Sequence, residues 1–446
     1  MKEVVDAPAF YFFNLGCAKN LVDARNAANR LLQAGYREAE EPEQADLLII
    51  TTCAFIEPAE RESVDEILRV AGARREGQLL AVLGCLVSRE DPDELAELLP
   101  EVDIFLPVPG MQKLPEELSK RGLLHSESVP DSRPKMFSPP HLAYLKIAEG
   151  CGNYCSYCMI PAIRGELESE PAERILAEAQ DLVSRGVKEL VVIAQDTASW
   201  GKDLESKLSL YDLLISIRRE VDPEWLRLMY LHPAHLDTSR LIELCNDKII
   251  LPYLDIPIQH VSERILEDMG RGYDRRYLEN LFGRLKSEID GLVLRTTVMA
   301  GYPGETEDEF NQLCDFLEEY QFDYAGVFGY CPEEGTRAFR RGERVDEDTV
   351  RERVDQITDI QMDMAQGRLE EKVGSTETVL VDRVYGDRGD LISAEGRFYG
   401  QCYEVDGMVL INGEAPENGS FCRVRMESVQ IYDLFGELVE DSEVYE

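Results

Sequence analysis

The chain has 446 residues, 44% hydrophobic and 30% charged, enough for two or three domains with substantial cores and unlike a disordered chain. A net charge of −40 argues against general affinity for nucleic acid, whose phosphates demand lysine and arginine, and fits a basic protein partner as well as plain solubility. No window approaches the roughly 18 apolar residues of a membrane span, and the first residues lack a basic-then-apolar leader, so the sequence predicts a cytoplasmic protein with free or metal-bound thiols.

In the first stretch, residues 1–125, apolar runs at 9–15, 45–51 and 79–83 read as buried strands, and 20–34, 58–73 and 89–99 read as helices. Such a β-α series builds a parallel sheet whose ligands bind at the carboxyl ends of its strands. Cys17, Cys53 and Cys85 each follow one of the three strands, which brings three thiols to one edge. A single cysteine there reads as a buried small residue; the same position three times over points to a metal cluster.

Residues 126–140, with Pro130, Pro134, Pro139 and Pro140, read as a linker. From 141 to 370, strands are predicted near 142–148, 189–194, 226–231, 253–257, 292–299 and 324–330, separated by helical patterns that include 171–185, 209–219, 262–269 and 307–320. Six β-α units predict a partial (β/α) barrel with its reactive groups at the carboxyl ends of the strands. The first of those ends carries Cys151, Cys155 and Cys158, spaced C-x3-C-x2-C. Three thiolates with no fourth ligand in the loop can hold three irons of a [4Fe-4S] cube and leave one open, whereas structural zinc closes with four protein ligands. Other strand ends carry Gln195-Asp196-Thr197, Pro257-Ile258-Gln259-His260 and Ala300-Gly301-Tyr302-Pro303-Gly304-Glu305-Thr306. These also read as turn and cap chemistry: Thr306 with Glu309 forms a capping box, and Gly301 and Gly304 serve a tight turn. His232 and His260 are given no role, and Cys245, Cys314 and Cys331 read as packing residues. Residues 337–368 suggest an exposed helix leading out of the barrel.

From 371 to 437, short alternating strands at 378–384, 396–404, 408–411 and 421–428 predict a small β-barrel, with Asn412-Gly413 as a hairpin signal, and 438–446 form an acidic tail. Residues 371–446 hold six Lys or Arg against seventeen Asp or Glu, a net of 6 − 17 = −11, which disfavours RNA and suits a basic protein surface.

The cysteine loop after an apolar strand, with Tyr157 before its third Cys, resembles the signature of radical S-adenosylmethionine (SAM) enzymes. The wider run from Lys146 to Gly165 resembles the methylthiotransferases, in particular the RimO family. The segments around Cys17, Cys53 and Cys85 are similar to those binding the auxiliary cluster of that family, and Val405-Asp406-Gly407 with Tyr432 to Glu437 resembles its closing TRAM domain. The resemblance implies two [4Fe-4S] clusters on the six cysteines, with SAM held by Tyr157, Gln195, Asp196, Gly301, Gly304 and Glu305. One SAM then serves as methyl donor and one as radical source. The implied product is an aspartate methylthiolated at its β-carbon in a small-subunit ribosomal protein, decoding-centre protein twelve. The alternative is a tRNA adenosine. An electron donor such as flavodoxin or ferredoxin and a sulfur source are implied partners, nucleic acid being met only through the ribosome. The chain departs from the family at Glu168-Ser169-Glu170, where two arginines usually flank a serine. It departs again at Cys331, where a serine is usual, and at Gln401-Cys402-Tyr403.

Overall fold

Contacts in the computed structural model, which describes residues 7–123, 137–385, 392–414 and 416–439, divide the chain into two units. The first comprises Met1–Ser138, Glu149–Tyr154 and Cys158–Glu168; the second comprises Pro139–Ala148, Cys155–Tyr157 and Ser169–Glu446. Most of the expected linker and of the acidic tail lies outside the described residues.

In the first unit, strands β1 (Ala9–Asn14), β2 (Arg37–Glu38), β3 (Leu47–Thr52), β4 (Leu79–Gly84) and β5 (Ile104–Pro107) form a parallel sheet in the order β2-β1-β3-β4-β5. Alternate strand residues point to opposite faces. Phe10, Phe12, Leu47 and Ile49 pack with Ala24, Ala28 and Leu31 of the helix Ala18–Gln33. Leu48, Ile50, Leu80 and Val82 pack with Ile67 and Val70 of the helix Glu57–Ala73. The single helix expected over 89–99 is instead two, Cys85–Arg89 and Pro92–Leu98. Proline 92 cannot continue the first, and Asp91 caps the second by accepting from the amides of Asp93 and Glu94.

In the second unit, β6 (Leu142–Lys146), β7 (Glu189–Ile193), β8 (Trp225–Leu228), β9 (Tyr253–Asp255), β10 (Val293–Ala300) and β11 (Tyr324–Gly329) pair in parallel and in sequence order. This is the expected partial barrel. The helices Thr238–Asn246 and Arg275–Glu288 complete two of its crossovers and were not among the predicted helices. The helix leading out starts at Glu347, with Asp346 accepting from the Thr349 amide, and it is not simply exposed: Ile357, Met364, Ala365 and Leu369 are buried.

Strands β12 (Thr376–Val384), β13 (Ile392–Phe398), β14 (Val409–Asn412), β15 (Phe421–Gln430) and β16 (Asp433–Leu438) close into a barrel in the order β12-β13-β14-β16-β15. Asn412-Gly413 therefore does not make a two-residue hairpin. Gly413 turns the chain at φ +96°, but β14 pairs with β13 and, in parallel, with β16, while β15 pairs with β12 and β16. The strand expected over 396–404 stops at Phe398, and the following turn buries Gln401, Cys402 and the side chain of Asp406. Tyr253 donates to Asp406 at 2.7 Å, and Cys402 Sγ lies 3.3 Å from Met229 Sδ.

Candidate metal and cofactor site

The carboxyl ends of the neighbouring strands β1, β3 and β4 carry Cys17, Cys53 and Cys85, as the sequence order predicts. Each loop is held tightly. Gly16 precedes Cys17 at φ +92°, where an added Cβ would stand 2.9 Å from Cys53 Cβ, and Gly84 precedes Cys85 at φ +106°. Ser63 Oγ receives the Cys53 amide at 3.0 Å and donates to its carbonyl at 2.7 Å. Asn20 binds the loops together: its Nδ2 donates to the carbonyls of Leu15 and Thr52, both at 2.9 Å, and its Oδ1 lies 4.0 Å from Cys17 Sγ and 3.9 Å from Cys85 Sγ. Burial pushes the Cys85 thiol up to about 11 against the opposing pull of Arg164, and burial also raises Cys53.

Among the described residues no three His, Cys, Asp or Glu side chains are grouped to chelate one ion. A cube makes no such demand, because each thiolate binds a different iron. Three cysteines at adjacent strand ends of one sheet, two of them about one polar atom and with a buried cation alongside, fit that group.

The cation is Arg164, at the end of the helix Ile160–Arg164 and only 6% exposed. Its Nη2 donates to Asn20 Oδ1 at 2.6 Å and to Cys85 Sγ at 3.3 Å, and its Nη1 to Asp23 at 3.0 Å and Glu149 at 3.0 Å. In the same unit the cysteine loop begins at Cys151, whose amide donates to Gly165 O at 3.1 Å, and Ile160 N–H lies 3.5 Å from Cys158 Sγ. Gly150, at φ +71°, has the Glu166 carbonyl where a side chain would go: an added Cβ would fall 2.0 Å from that oxygen.

In the second unit Cys155 Sγ accepts from Arg271 Nη1 at 3.4 Å. Arg271, 5% exposed, is fixed by donating to Pro257 O at 2.7 Å and to Tyr273 OH at 2.8 Å. Ser156 is anchored to Met269 O and Tyr302 OH, and Tyr157 packs against the buried cluster of Ile265, Met269, Met299, Tyr302 and Ala338. A guanidinium hydrogen-bonded to sulfur suits a thiolate better than a thiol, so this cysteine too fits cluster ligation.

The remaining predicted residues divide. At the end of β7, Asp196 accepts from Ser199 Oγ and from His235 Nδ1, both at 2.6 Å. Burial alone favours the neutral acid, but the hydrogen bonds from His235 and Ser199 prevail and bring Asp196 down to about 2. Gln195 is half-buried beside it. Gly301 and Glu305 serve the turn after β10: Glu305 Oε2 accepts from the Gly301 amide at 2.8 Å, and Oε1 pairs with Arg353 at 2.8 Å. A Cβ on Gly301 would meet Val350 at 2.4 Å, and the Gly304 amide donates to Glu343 O.

Several features of the strand ends leave no mark in the sequence. Tyr230 and Gln259 sit at φ +60° and +67°, just beyond the ends of β8 and β9, a conformation costing about 1–3 kcal/mol each that clusters at functional sites. His232 stacks on His235 and lies edge-on to Tyr273; neither of its ring nitrogens has a hydrogen-bond partner among the described residues, and burial holds it neutral, down to about 2. His260, by contrast, accepts from the amides of Val261 and Ser262 and is structural. Arg164 and Arg271 carried no spacing signal; only their nearness to cysteine motifs could have singled them out. A cavity of about 410 Å³ lies at the opposite, amino ends of the strands, lined by Arg295, Tyr324 and Asp406.

Comparison with known proteins places these features in a family. Residues 9–107 match the uncharacterized protein family UPF0004, 145–317 the radical SAM superfamily and 373–439 the TRAM domain. The ribosomal protein uS12 methylthiotransferase RimO of Aquifex aeolicus is 39% identical over 424 residues, covering 95% of each chain. That of Geobacter sulfurreducens is 38% identical, covering 96% of this chain and 97% of its own. Among solved structures, the radical SAM methyltransferase TsrM of Kitasatospora setae matches 72% of this chain and 75% of its own with a TM-score of 0.53 at 16% identity, a likeness of fold. Superfamily membership brings SAM and a [4Fe-4S] cluster with it. The chain belongs to the ribosomal protein uS12 methylthiotransferase RimO family of the radical SAM superfamily.

Proposed function

We propose that this protein methylthiolates the β-carbon of an aspartate in ribosomal protein uS12. The observation that carries the reading is the match, over 95% of the chain, to relatives named for that activity. In this reading Cys151, Cys155 and Cys158 hold the radical SAM cluster, and Cys17, Cys53 and Cys85 hold a second [4Fe-4S] cluster. When bound, the clusters and SAM supply the radical chemistry and the sulfur that polar acid-base groups cannot, since the carbon attacked is not acidic. The chain's own residues bind, orient and balance charge. Arg271 steadies the Cys155 thiolate; Asp196, held ionised, with Gln195 and Tyr157, meets the polar parts of SAM; Gly301, Gly304 and Glu305 shape the turn beside them.

The division of labour follows the three sequence regions, 1–125 for the second cluster, 141–370 for radical generation and 371–437 for the substrate. The net charge of −11 from residue 371 onward favours the lysine- and arginine-rich surface of a ribosomal protein. An electron donor such as flavodoxin or ferredoxin and a sulfur source act with it in the cytoplasm. The test is anaerobic reconstitution with iron and sulfide, followed by incubation with SAM, a reductant and purified uS12. A methylthio group replacing one aspartate hydrogen, located by peptide mass spectrometry, is the expected outcome; SAM cleavage with unmodified uS12 overturns the substrate assignment.

A further inference from the structure

Arg164 touches Asn20, Asp23, Glu149 and a cysteine of the N-terminal set at once, and the family reading gives it no task. Its position is built rather than incidental. Asn20, whose Nδ2 is committed to the Leu15 and Thr52 carbonyls, presents Oδ1 both to Arg164 and toward Cys17 and Cys85. Asp23 and Glu149 take Nη1, so the guanidinium cannot swing away from Cys85 without abandoning two ion pairs. Burying a guanidinium this deeply is costly unless its anionic partners persist. Asp23 and Glu149 supply those partners, and they hold Nη2 3.3 Å from the Cys85 sulfur.

We propose that Arg164 is a positioning and charge-balancing residue for a cluster held by Cys17, Cys53 and Cys85, setting its reduction potential through the Cys85 sulfur. The assignment rests on the reading that those cysteines hold a cluster. A cation and N–H donor on a cluster ligand stabilise the more negative, reduced state, so Arg164 raises the potential. Removing it lowers the potential. Lysine keeps the charge but loses the planar fork that reaches Asn20 and Cys85 together, and should fall between.

The experiment uses the full chain with Cys151, Cys155 and Cys158 replaced by Ala, so that only the N-terminal cysteines remain to bind a cluster. Iron content and an EPR-monitored redox titration are measured for Arg164, R164K and R164Q. The expected result is cluster iron in all three and a midpoint displaced to more negative potential in R164Q, by at least tenfold in the oxidised-to-reduced ratio at fixed potential (about 59 mV for one electron). R164K should be displaced in the same direction by less. If R164Q holds no iron, the displacement in R164K decides. A midpoint equal to that of Arg164 in every variant that holds iron overturns the assignment. Absence of iron with Arg164 intact contradicts the cysteine reading itself, and the assignment falls with it.

Discussion

Arg397 of the C-terminal barrel donates to Glu189, the first residue of β7 and 208 positions away, at 2.7 Å. Arg227 Nε reaches the other carboxylate oxygen at 2.6 Å, and all three side chains are essentially inaccessible. Asp382 takes the far side of Arg397 at 2.7 Å and His141 at 2.9 Å. Burial opposes ionisation of Glu189, but the two arginines outweigh it and lower its pKa. Replacing Glu189 by Gln takes the carboxylate from buried Arg227 and leaves Arg397 with Asp382 alone, and breaking a buried ion pair of this kind costs about 3–5 kcal/mol. Urea unfolding of E189Q should reveal that loss; a change under about 1 kcal/mol would mean the network is not needed to fix the barrel to the sheet.

Asp196 gives a pH-dependent prediction. Its pKa falls from 3.8 to about 2 on folding. A depressed acid stabilises the fold above its unfolded pKa, and that contribution disappears as pH falls through the folded value. The stabilisation is about 2 kcal/mol at neutral pH and should be lost between about pH 4 and pH 2. D196N should therefore be less stable than the parent at pH 7 by that amount, with the difference shrinking as the pH drops below 4. A stability difference that does not vary with pH would contradict the hydrogen-bonded, ionised Asp196.

Gly150 has no room for a side chain. Alanine there places Cβ 2.0 Å from the Glu166 carbonyl in a backbone conformation at φ +71°. The start of the cysteine loop must shift. G150A should keep its circular dichroism yet lose the iron bound by that loop, about four of the eight expected for two cubes. A full iron complement in G150A would show that the loop tolerates the displacement.

Six strands of the second unit were legible because buried parallel strands leave apolar runs with clear ends, and the three N-terminal cysteines were placed by counting residues past such runs. The helices Thr238–Asn246 and Arg275–Glu288 were missed although both have an apolar face and an aspartate cap, Asp237 and Asp274, that mark their starts. Asn412-Gly413 misled because the turn it encodes is real while its strand's partners come from elsewhere in the chain. Strand pairing over long distances leaves no local trace. The same holds for Arg164, Arg271 and Asn20: nothing in their spacing announces that they meet sulfur, since that depends on which loops the fold brings together.

The two cysteine sets should separate functionally. Replacing Cys17, Cys53 and Cys85 by Ala is expected to spare reductive SAM cleavage and stop methylthiolation, whereas replacing Cys151, Cys155 and Cys158 abolishes both. Methylthiolated product from the N-terminal triple variant would remove that set from the reaction.

The substrate assignment is tested most directly in cells with and without this gene, by mass spectrometry of uS12 and of total tRNA nucleosides from the same cultures. The account predicts that deletion removes a methylthio group from one uS12 aspartate and leaves the tRNA nucleosides unchanged. Loss of a methylthiolated adenosine from tRNA, with uS12 identical in both strains, would contradict it.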